Sequence, residues 1–443
     1  MTATDTIFAL SSGAGRSAVA VIRISGPATA ALLERLAGGL PSSRSFALRS
    51  IREPSSGDLL DRAVVVWLPA PHSVTGEDCG ELHLHGSPAV VSTVSMLLAG
   101  FPGVRPAEAG EFTRRAFLNG KMDLVEVEGL ADLLDARTEV QRRQALRQMS
   151  GIASSVFDGW RQRLLHIRAS IEAVVDFADE PGIAEEAAPG IDAEIRSLMV
   201  AISDAVAGSA SAEIVRDGVR VVLAGLPNTG KSSLLNTLAR RDAAIVSEVP
   251  GTTRDVIEVS LEMSGIPVIL TDTAGLRGNV ADTIEQEGIR RTRKQISAAD
   301  VVVWVWSADV PGSEVAEGFS LDLVVQNKCD LGSGLPRNDL PASQLRISTR
   351  TGVGIVGFIE HLSGLLRDRY GNVESSLLVS VRQVAIARNS IRLLNNALEC
   401  PATHLELKAE EIRAAADEIG RLTGKIDVEE WLGAIFSRFC IGK

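Results

Sequence analysis

Gly225-Leu-Pro-Asn-Thr-Gly-Lys-Ser232 is the stretch of this chain best equipped for chemistry. It follows the apolar run Val219–Ala224 and precedes Ser233-Leu-Leu-Asn-Thr-Leu238, which reads as a helix. A loop in that setting lets backbone N–H groups curl around phosphate oxygens. Asn228, Thr229, Gly230, Lys231, Ser232 and Ser233 are therefore candidate nucleotide contacts. Lys231 would reach the β- and γ-phosphates, and the Ser232 hydroxyl is left to hold Mg²⁺.

Two more motifs follow in a meaningful order. Asp272-Thr273-Ala274-Gly275 comes after the apolar run Val268–Leu270. An acid at a strand end can hold Mg²⁺ through water, and the Gly275 N–H can reach a γ-phosphate. Asn327-Lys328-Cys329-Asp330 follows another strand end. There Asp330 can accept hydrogen bonds from guanine N1–H and its exocyclic amine. Adenine lacks both donors, and a site built on such a bond rejects the analogue by orders of magnitude. GTP, not ATP, is the expected ligand, with Ser348-Thr349 completing the base pocket.

Phosphoryl transfer also needs a held water and positive charge near the β–γ bridge. The loop Val249-Pro250-Gly251-Thr252-Thr253-Arg254-Asp255 reads as a mobile switch, with Ser247 and Glu248 just before it as further candidate nucleotide contacts and Thr253 completing the Mg²⁺ shell when the γ-phosphate is present. Leu276 stands where Ras-like enzymes carry a water-orienting glutamine. Hydrolysis is then slow, or another group holds the water. Arg254 is either the compensating charge or a surface arginine.

The elements that must position these motifs are legible as strands: Val219–Ala224, Ile257–Met263, Val268–Thr271, Val301–Trp306, Leu323–Gln326 and Gln344–Ile347. Helical segments between several of them predict a mostly parallel, doubly wound sheet with its ligand at the strand C-termini. Ser264-Gly265 turns one antiparallel hairpin. Upstream, Ala18–Ile24, Ala63–Trp67 and Glu81–His85 mark a mixed α/β region. From Gly120 the period becomes helical, with Leu124, Val127, Leu130 and Leu134, continuing through Leu146, Met149 and Leu164 to Val175. Acidic and Pro/Gly residues from Asp179 to Gly190 predict a loop. Helical spacing returns after Gly371 and runs through Leu405–Leu422. The expected order is an α/β domain over 1–119, a helical part over 120–216, a GTP-binding domain over 217–371 and a second helical part over 372–443.

Composition narrows the class. With 45% apolar and 23% charged residues in 443, the chain is expected to be soluble and to hold more than one core. Cys79, Cys329, Cys400 and Cys440 show no paired spacing, which fits a reduced, cytoplasmic setting. No basic leader segment is evident, and no apolar run approaches the ~20 residues of a membrane helix, so no membrane is expected. A net charge of −11 argues against indiscriminate nucleic-acid binding. The arginine-rich stretch from Arg137 to Arg168 is either a solvated helix face or a phosphate-contacting patch.

The chain resembles the MnmE (TrmE) family of tRNA-modification GTPases along essentially its whole length. Asp5-Thr-Ile7, Gly15-Arg16, Arg23-Ile-Ser-Gly26, Thr75-Gly-Glu-Asp78, His85-Gly86 and Gly110-Glu-Phe-Thr113 match. So do Ala116-Phe-Leu-Asn-Gly-Lys121, Gly251-Thr-Thr-Arg-Asp255 and the terminal Phe439-Cys-Ile-Gly-Lys443. The chain departs from the pattern at Val74, Ser87 and Gly278–Asp282. The resemblance implies an N-terminal folate-binding and dimerising domain, a helical domain from two chain segments, and an inserted Ras-like G domain. It implies a homodimer that forms a heterotetramer with an MnmG (GidA)-type flavoprotein carrying FAD. Together they would place a carboxymethylaminomethyl-type group on the wobble uridine of certain tRNAs. The added carbon would come from a tetrahydrofolate derivative of 5-formyl or 5,10-methylene type.

The same resemblance assigns K⁺ to Asn228, Ser247, Val249 and Thr252, in the place of an arginine finger. It points to Glu285 as the water-orienting residue, with Glu287 as the alternative. Arg23, Glu81, Lys121 and Lys443 fall on folate-ligand positions, where a carboxylate can accept from a pterin and cations suit a glutamate tail. Cys440 is either a buried structural thiol or a catalytic or redox-sensitive one. His83 and His85 share a strand face, but metal ligation there lacks further ligands. The rival reading is a ribosome-associated GTPase switch with RNA-binding flanking domains.

Overall fold

A computed structural model describes residues 5–176, 183–241, 258–272, 295–313, 320–331, 344–370, 376–401, 404–426 and 429–442. The chain divides into two compact units, one comprising Met1–Ala131, Gln148–Ile195 and Leu393–Lys443, the other Asp132–Arg147 and Arg196–Arg392. The arginine-rich stretch is thus shared between them.

In the first unit, β1 (Thr6–Leu10), β2 (Val19–Ser25), β3 (Phe46–Arg52), β4 (Leu59–Leu68), β5 (Cys79–His85) and β6 (Val104–Pro106) form one sheet in the order β3-β4-β5-β2-β1-β6. Only the β1–β6 pair is parallel. Side chains alternate across a strand. Ile22, Ile24, Val65, Leu82 and Leu84 therefore pack on one face with Leu32, Leu33 and Leu36 of the helix Thr29–Ala37 and with Val94 and Leu98 of the helix Pro88–Ala99. Arg23, Glu81 and His83, the alternate residues, are left to the opposite face.

The same unit contains a long helix pair. Phe157, Trp160, Leu164, Ile167, Ile171 and Val174 are buried on Ile152–Asp176, and Leu405, Lys408, Ile412, Ala415, Ile419 and Leu422 on Leu405–Thr423. Both series step by three and four residues, the seam of two helices packed side by side. The pairing is antiparallel, since Lys425 bonds to Asp158 at 2.7 Å while Arg168 lies near Glu410 toward the other end.

The expected loop from Asp179 to Gly190 is corrected in part: a helix begins at Ile183 and runs through Pro189 to Ala207. Its apolar stripe of Ile191, Ile195, Leu198 and Ile202 is buried, and that packing outweighs the one backbone donor lost at proline. The helical stretch Ala188–Asp217 is long and apolar enough by length and composition to cross a membrane, a test that a helix buried in a protein core also passes. It interrupts its apolar residues with Asp192, Glu194, Arg196 and Asp204, as a helix facing a protein core does.

The second unit holds β7 (Val219–Ala224), β8 (Glu258–Met263), β9 (Ile266–Asp272), β10 (Val301–Ser307), β11 (Leu323–Asn327) and β12 (Gln344–Arg346), in the order β12-β11-β10-β7-β9-β8. All neighbours run parallel except β8, which pairs antiparallel to β9 through the Ser264-Gly265 turn. These are the strands, hairpin and turn expected from the sequence. One face is sealed by Leu234, Leu235 and Leu238 of the helix Lys231–Arg241 and by Phe358, Leu362 and Leu366 of Ile355–Tyr370.

The segment Asp132–Arg147 is bonded into this unit. Gln141 donates to the carbonyls of Val215 and Arg216, at 3.3 and 3.0 Å, which end the helix Ser209–Asp217 without an intrahelical partner. Arg216 pairs with Asp132 at 2.7 Å. Arg142 and Arg143 both pair with Glu139, at 2.7 and 2.8 Å, and Arg168 with Glu172 at 2.8 Å. Much of the positive charge in the arginine-rich stretch is thereby met within its own helices.

Candidate functional site

The phosphate loop joins the C-terminal end of β7 to the helix Lys231–Arg241. In a parallel sheet the strand C-termini share one edge, so Asp272 at the end of β9 and Asn327 at the end of β11 stand on the edge that carries this loop. Gly225 takes a positive φ of 146°, and a Cβ there would meet the Val305 carbonyl at 2.1 Å. Asn228 also has positive φ, 64°, and is exposed at the tip.

Lys231 is 3% exposed and donates its ammonium to the carbonyls of Gly225, at 2.8 Å, and Leu226, at 2.7 Å. Burial pushes the amine below its ordinary pKa, against the opposing influence of Asp272. The Ser232 hydroxyl donates to the Asp272 carboxylate. An alcohol and a carboxylate within bonding reach make the oxygen donor set that a hard divalent cation takes. Ser232 and Asp272 thus fit Mg²⁺.

On the base side, the Ser348 hydroxyl donates to Asp330 at 2.5 Å. That bond is the main influence holding the Asp330 carboxyl below its usual range. Asn327, fully buried, donates to the Thr229 carbonyl at 3.0 Å and accepts from the Thr349 N–H at 3.2 Å. Lys328 pairs with Asp309 at 2.8 Å, a partner that sequence spacing did not point to. The structure thus links Thr229, Asn327 and Thr349 to one another, Ser232 to Asp272 and Ser348 to Asp330. Ser233 is exposed beside them. Ser247, Glu248, Val249, Pro250, Gly251, Thr252, Thr253, Thr273, Ala274, Gly275 and Glu285, with the alternatives Arg254 and Glu287, lie outside the described residues, as does Lys443. A cavity of about 280 Å³, lined by Arg137, Gln141 and Glu262 among others, lies by Gly218 and Pro267 at the opposite strand ends and includes no predicted nucleotide residue.

In the first unit, Arg23 donates to Glu81 through Nε and a terminal nitrogen, at 3.1 and 3.0 Å, and His83 meets the other Glu81 oxygen at 3.0 Å. Burial alone would raise the Glu81 carboxyl, but His83 and Arg23 together hold it below its ordinary value. His85 pairs instead with Asp61 at 2.7 Å, and among the described residues no group of three His, Cys, Asp or Glu could hold a metal. Lys121 is exposed, its stem lying beside Gly76.

Sequence reasoning missed the scaffold behind this cluster. Thr75, fully buried, shares hydrogen bonds with Ser25 at 2.7 Å and Cys79 at 3.1 Å, and its carbonyl accepts from Asn119 at 2.8 Å. Glu77 pairs with Arg115, which also reaches Asp5 and Glu111. The signal was present in the Thr75-Gly-Glu-Asp78 and Gly110-Glu-Phe-Thr113 stretches, whose polar residues lie on these buried bonds. Cys440 is exposed, which sets aside the reading of a buried structural thiol.

The family model described as the MnmE helical domain matches residues 124–440, and that described as the GTP-binding protein TrmE N-terminus matches residues 6–121. The tRNA modification GTPase MnmE of Sinorhizobium medicae (strain WSM419) is 48% identical over 443 residues, covering 99% of both chains. The chain belongs to the MnmE family. The MnmE proteins of Methylobacterium sp. (strain 4-46) and Chelativorans sp. (strain BNC1) are 47% and 48% identical, each over 99% of this chain, covering 100% and 98% of their own lengths. Identity that extends end to end embraces both the phosphate-loop unit and the Arg23–Glu81 sheet. Solved structures add little to MnmE membership: the G domain of the T. maritima FeoB iron transporter covers 35% of this chain at a TM-score of 0.26.

Proposed function

We propose that this MnmE-family chain hydrolyses GTP to drive modification of the wobble uridine of certain tRNAs in the cytoplasm. It would act as a K⁺-stimulated homodimer with an MnmG (GidA)-type flavoprotein that carries FAD. Its parts would be a folate-binding domain over 1–119, helical segments over 120–216 and 372–443, and a G domain over 217–371. The observation that carries the GTP half is the Asn327 amide, which ties the phosphate loop to the base-side loops.

Lys231 would leave the Gly225 and Leu226 carbonyls for the β- and γ-phosphates, exchanging two neutral acceptors for charged ones. Asp330, kept ionised by Ser348, would accept the two guanine donors. Ser232 and Asp272 would hold Mg²⁺, which neutralises charge on the phosphate oxygens when bound. Asn228, with Ser247, Val249 and Thr252, would hold K⁺; its exposed carbonyl oxygen suits a monovalent cation. Glu285 would orient the attacking water.

For the modification half, Glu81 would accept from a pterin edge while Arg23, Lys121 and Lys443 meet the acidic tail of a tetrahydrofolate derivative. The unpaired-spacing thiol Cys440, being exposed, is open to a role in the carbon transfer. Nucleoside analysis of tRNA from cells lacking this chain tests the whole proposal. Loss of the carboxymethylaminomethyl-type wobble uridine is expected, and normal wobble uridine overturns it. Replacing K⁺ by Na⁺ should sharply slow GTP turnover, whereas equal rates would remove the role of Asn228.

A further inference from the structure

The last described residue, Gly442, is fastened beside the end of the first strand. Ser11 Oγ donates to the Gly442 carbonyl at 2.9 Å, across 431 positions of sequence. Ile441 forms an antiparallel bridge with Ala109. Gly442 takes φ 102°, and a Cβ on it would stand 2.3 Å from the Leu10 carbonyl, so the approach is open to glycine alone. Just before this contact, Phe436 and Phe439 are buried against Leu124, Val127 and Ala131. Cys440 is thus exposed between a buried aromatic and a bridged residue, its backbone fixed on both sides.

Ser11 is itself held. Its N–H donates to the Val21 carbonyl at 2.8 Å, and the Val21 N–H returns a bond to Ser12 Oγ at 3.1 Å. Val21 lies on β2, two residues before Arg23. Phe112, two residues beyond Gly110, lies 5.9 Å from the Arg23 guanidinium. Strand β2, which carries Arg23, therefore also carries the support of the hydroxyl.

We propose that Ser11 is a positioning residue, latching the C-terminal tail and with it Cys440 to the sheet that bears Arg23 and Glu81. The proposal rests on the tRNA-modifying reading above and adds the residue that sets the tail's place. A single hydroxyl–carbonyl bond accounts for roughly a fivefold bias toward the docked tail. The larger steric constraint at Gly442 fixes which way the tail approaches.

The test uses the full-length chain as Ser11→Ala, Ser11→Thr and Gly442→Ala, with GTP hydrolysis at the wild-type rate as the sign of an intact fold. Hydrogen exchange of the C-terminal peptide, read by mass spectrometry, should quicken about fivefold in Ser11→Ala and more in Gly442→Ala. In cells whose only copy is the variant, wobble-uridine modification should fall in both. Ser11→Thr, which keeps the hydroxyl, should restore both readouts. Unchanged exchange in both Ser11→Ala and Gly442→Ala overturns the latch. Faster exchange with full modification overturns the positioning role. Absence of modification with the wild-type chain would instead count against the proposed function.

Discussion

Asn327 donates its side-chain amide to the Thr229 carbonyl at 3.0 Å, joining two loops that lie 98 residues apart in sequence. The same side chain accepts from the Thr349 N–H, so one buried amide braces the phosphate loop and the base-side loop together. Asn327→Ala strands a buried carbonyl and an N–H, a loss of about 1–3 kcal/mol. GTP affinity should drop by roughly ten- to a hundredfold in a titration with a fluorescent GTP analogue. Gly230→Ala should do likewise, since its Cβ would stand 2.2 Å from the Asn327 amide nitrogen at a φ of 92°. Wild-type affinity in both variants would mean that the two loops bind without the brace.

Asp330 sets the base preference. Asp330→Asn should weaken GTP binding and shift preference toward xanthosine nucleotides, whose 2-oxo group needs a donor; unchanged guanine preference would reject the base pocket. The pH dependence has a definite sign. Because the Ser348 hydroxyl lowers the Asp330 pKa, the carboxylate stays ionised as pH falls toward the ordinary Asp value of 3.8. GTP affinity should therefore hold through mildly acid pH as far as this residue governs it. Ser348→Ala should move the acid limb of the affinity–pH curve upward.

The Arg115 cluster predicts a distinct acid response in the first unit. Burial favours the neutral forms of Asp5 and Glu111, yet hydrogen bonds from Arg105 and Arg115 and the charge of Arg105 lower both below their ordinary values of 3.8 and 4.5. The charge of Arg115 helps at Asp5, and the Glu108 N–H helps at Glu111. Unfolded chains then bind more protons in the window beneath those values. The stabilisation is fully present above about pH 4.5 and is lost as pH falls through the lowered folded pKa values. Arg115→Met removes the cation that meets Asp5, Glu77 and Glu111 and should destabilise by ~3 kcal/mol at neutral pH. Its melting temperature should also vary less with pH below 5 than that of the wild type. A parallel pH profile would separate Arg115 from the acid response.

The parallel sheet was legible because every strand that meets a motif is a short apolar run bounded by turn residues, as with Val219–Ala224 before Gly225. Strands β1, β3 and β6 were missed. In β3 the outward residues include exposed Phe46 and Leu48, so apolar alternation fails there. The Ile183–Ala207 helix was read as a loop at its start because Pro189-Gly190 argues locally for a break, whereas tertiary burial of Ile191 and Ile195 decides otherwise. Arg23 and Glu81 were found only through the family pattern, since nothing in their spacing shows that β2 and β5 are neighbours. The register Arg23↔Glu81 is a property of the folded sheet. The roles of Thr75 and Arg115 were hidden for the same reason: Thr75 meets Ser25, and Arg115 meets Asp5 and Glu77, only across distances of 38 to 110 residues in sequence.

Lys408 tests how the helix Leu405–Thr423 is held to the helix Ile183–Ala207. It occupies a seam position between Leu405 and Ile412 at only 3% exposure, and its ammonium pairs with Asp192 at 2.7 Å. Removing one partner of a buried ion pair leaves the other charge poorly compensated, whereas replacing both by apolar residues of similar volume is commonly neutral or stabilising. Lys408→Leu alone should therefore lower the melting temperature, and adding Asp192→Leu should recover most of the loss. Ile412→Ala, four residues on and fully buried, leaves a cavity and should cost about 2–5 kcal/mol. If the double variant stays as destabilised as Lys408→Leu, the ion pair is a net source of stability. If it recovers, the pair's contribution is to register, favouring the alignment of the helices Ile183–Ala207 and Leu405–Thr423 in which Asp192 reaches Lys408. Limited proteolysis of the double variant should then reveal looser pairing of those two helices at an undiminished melting temperature.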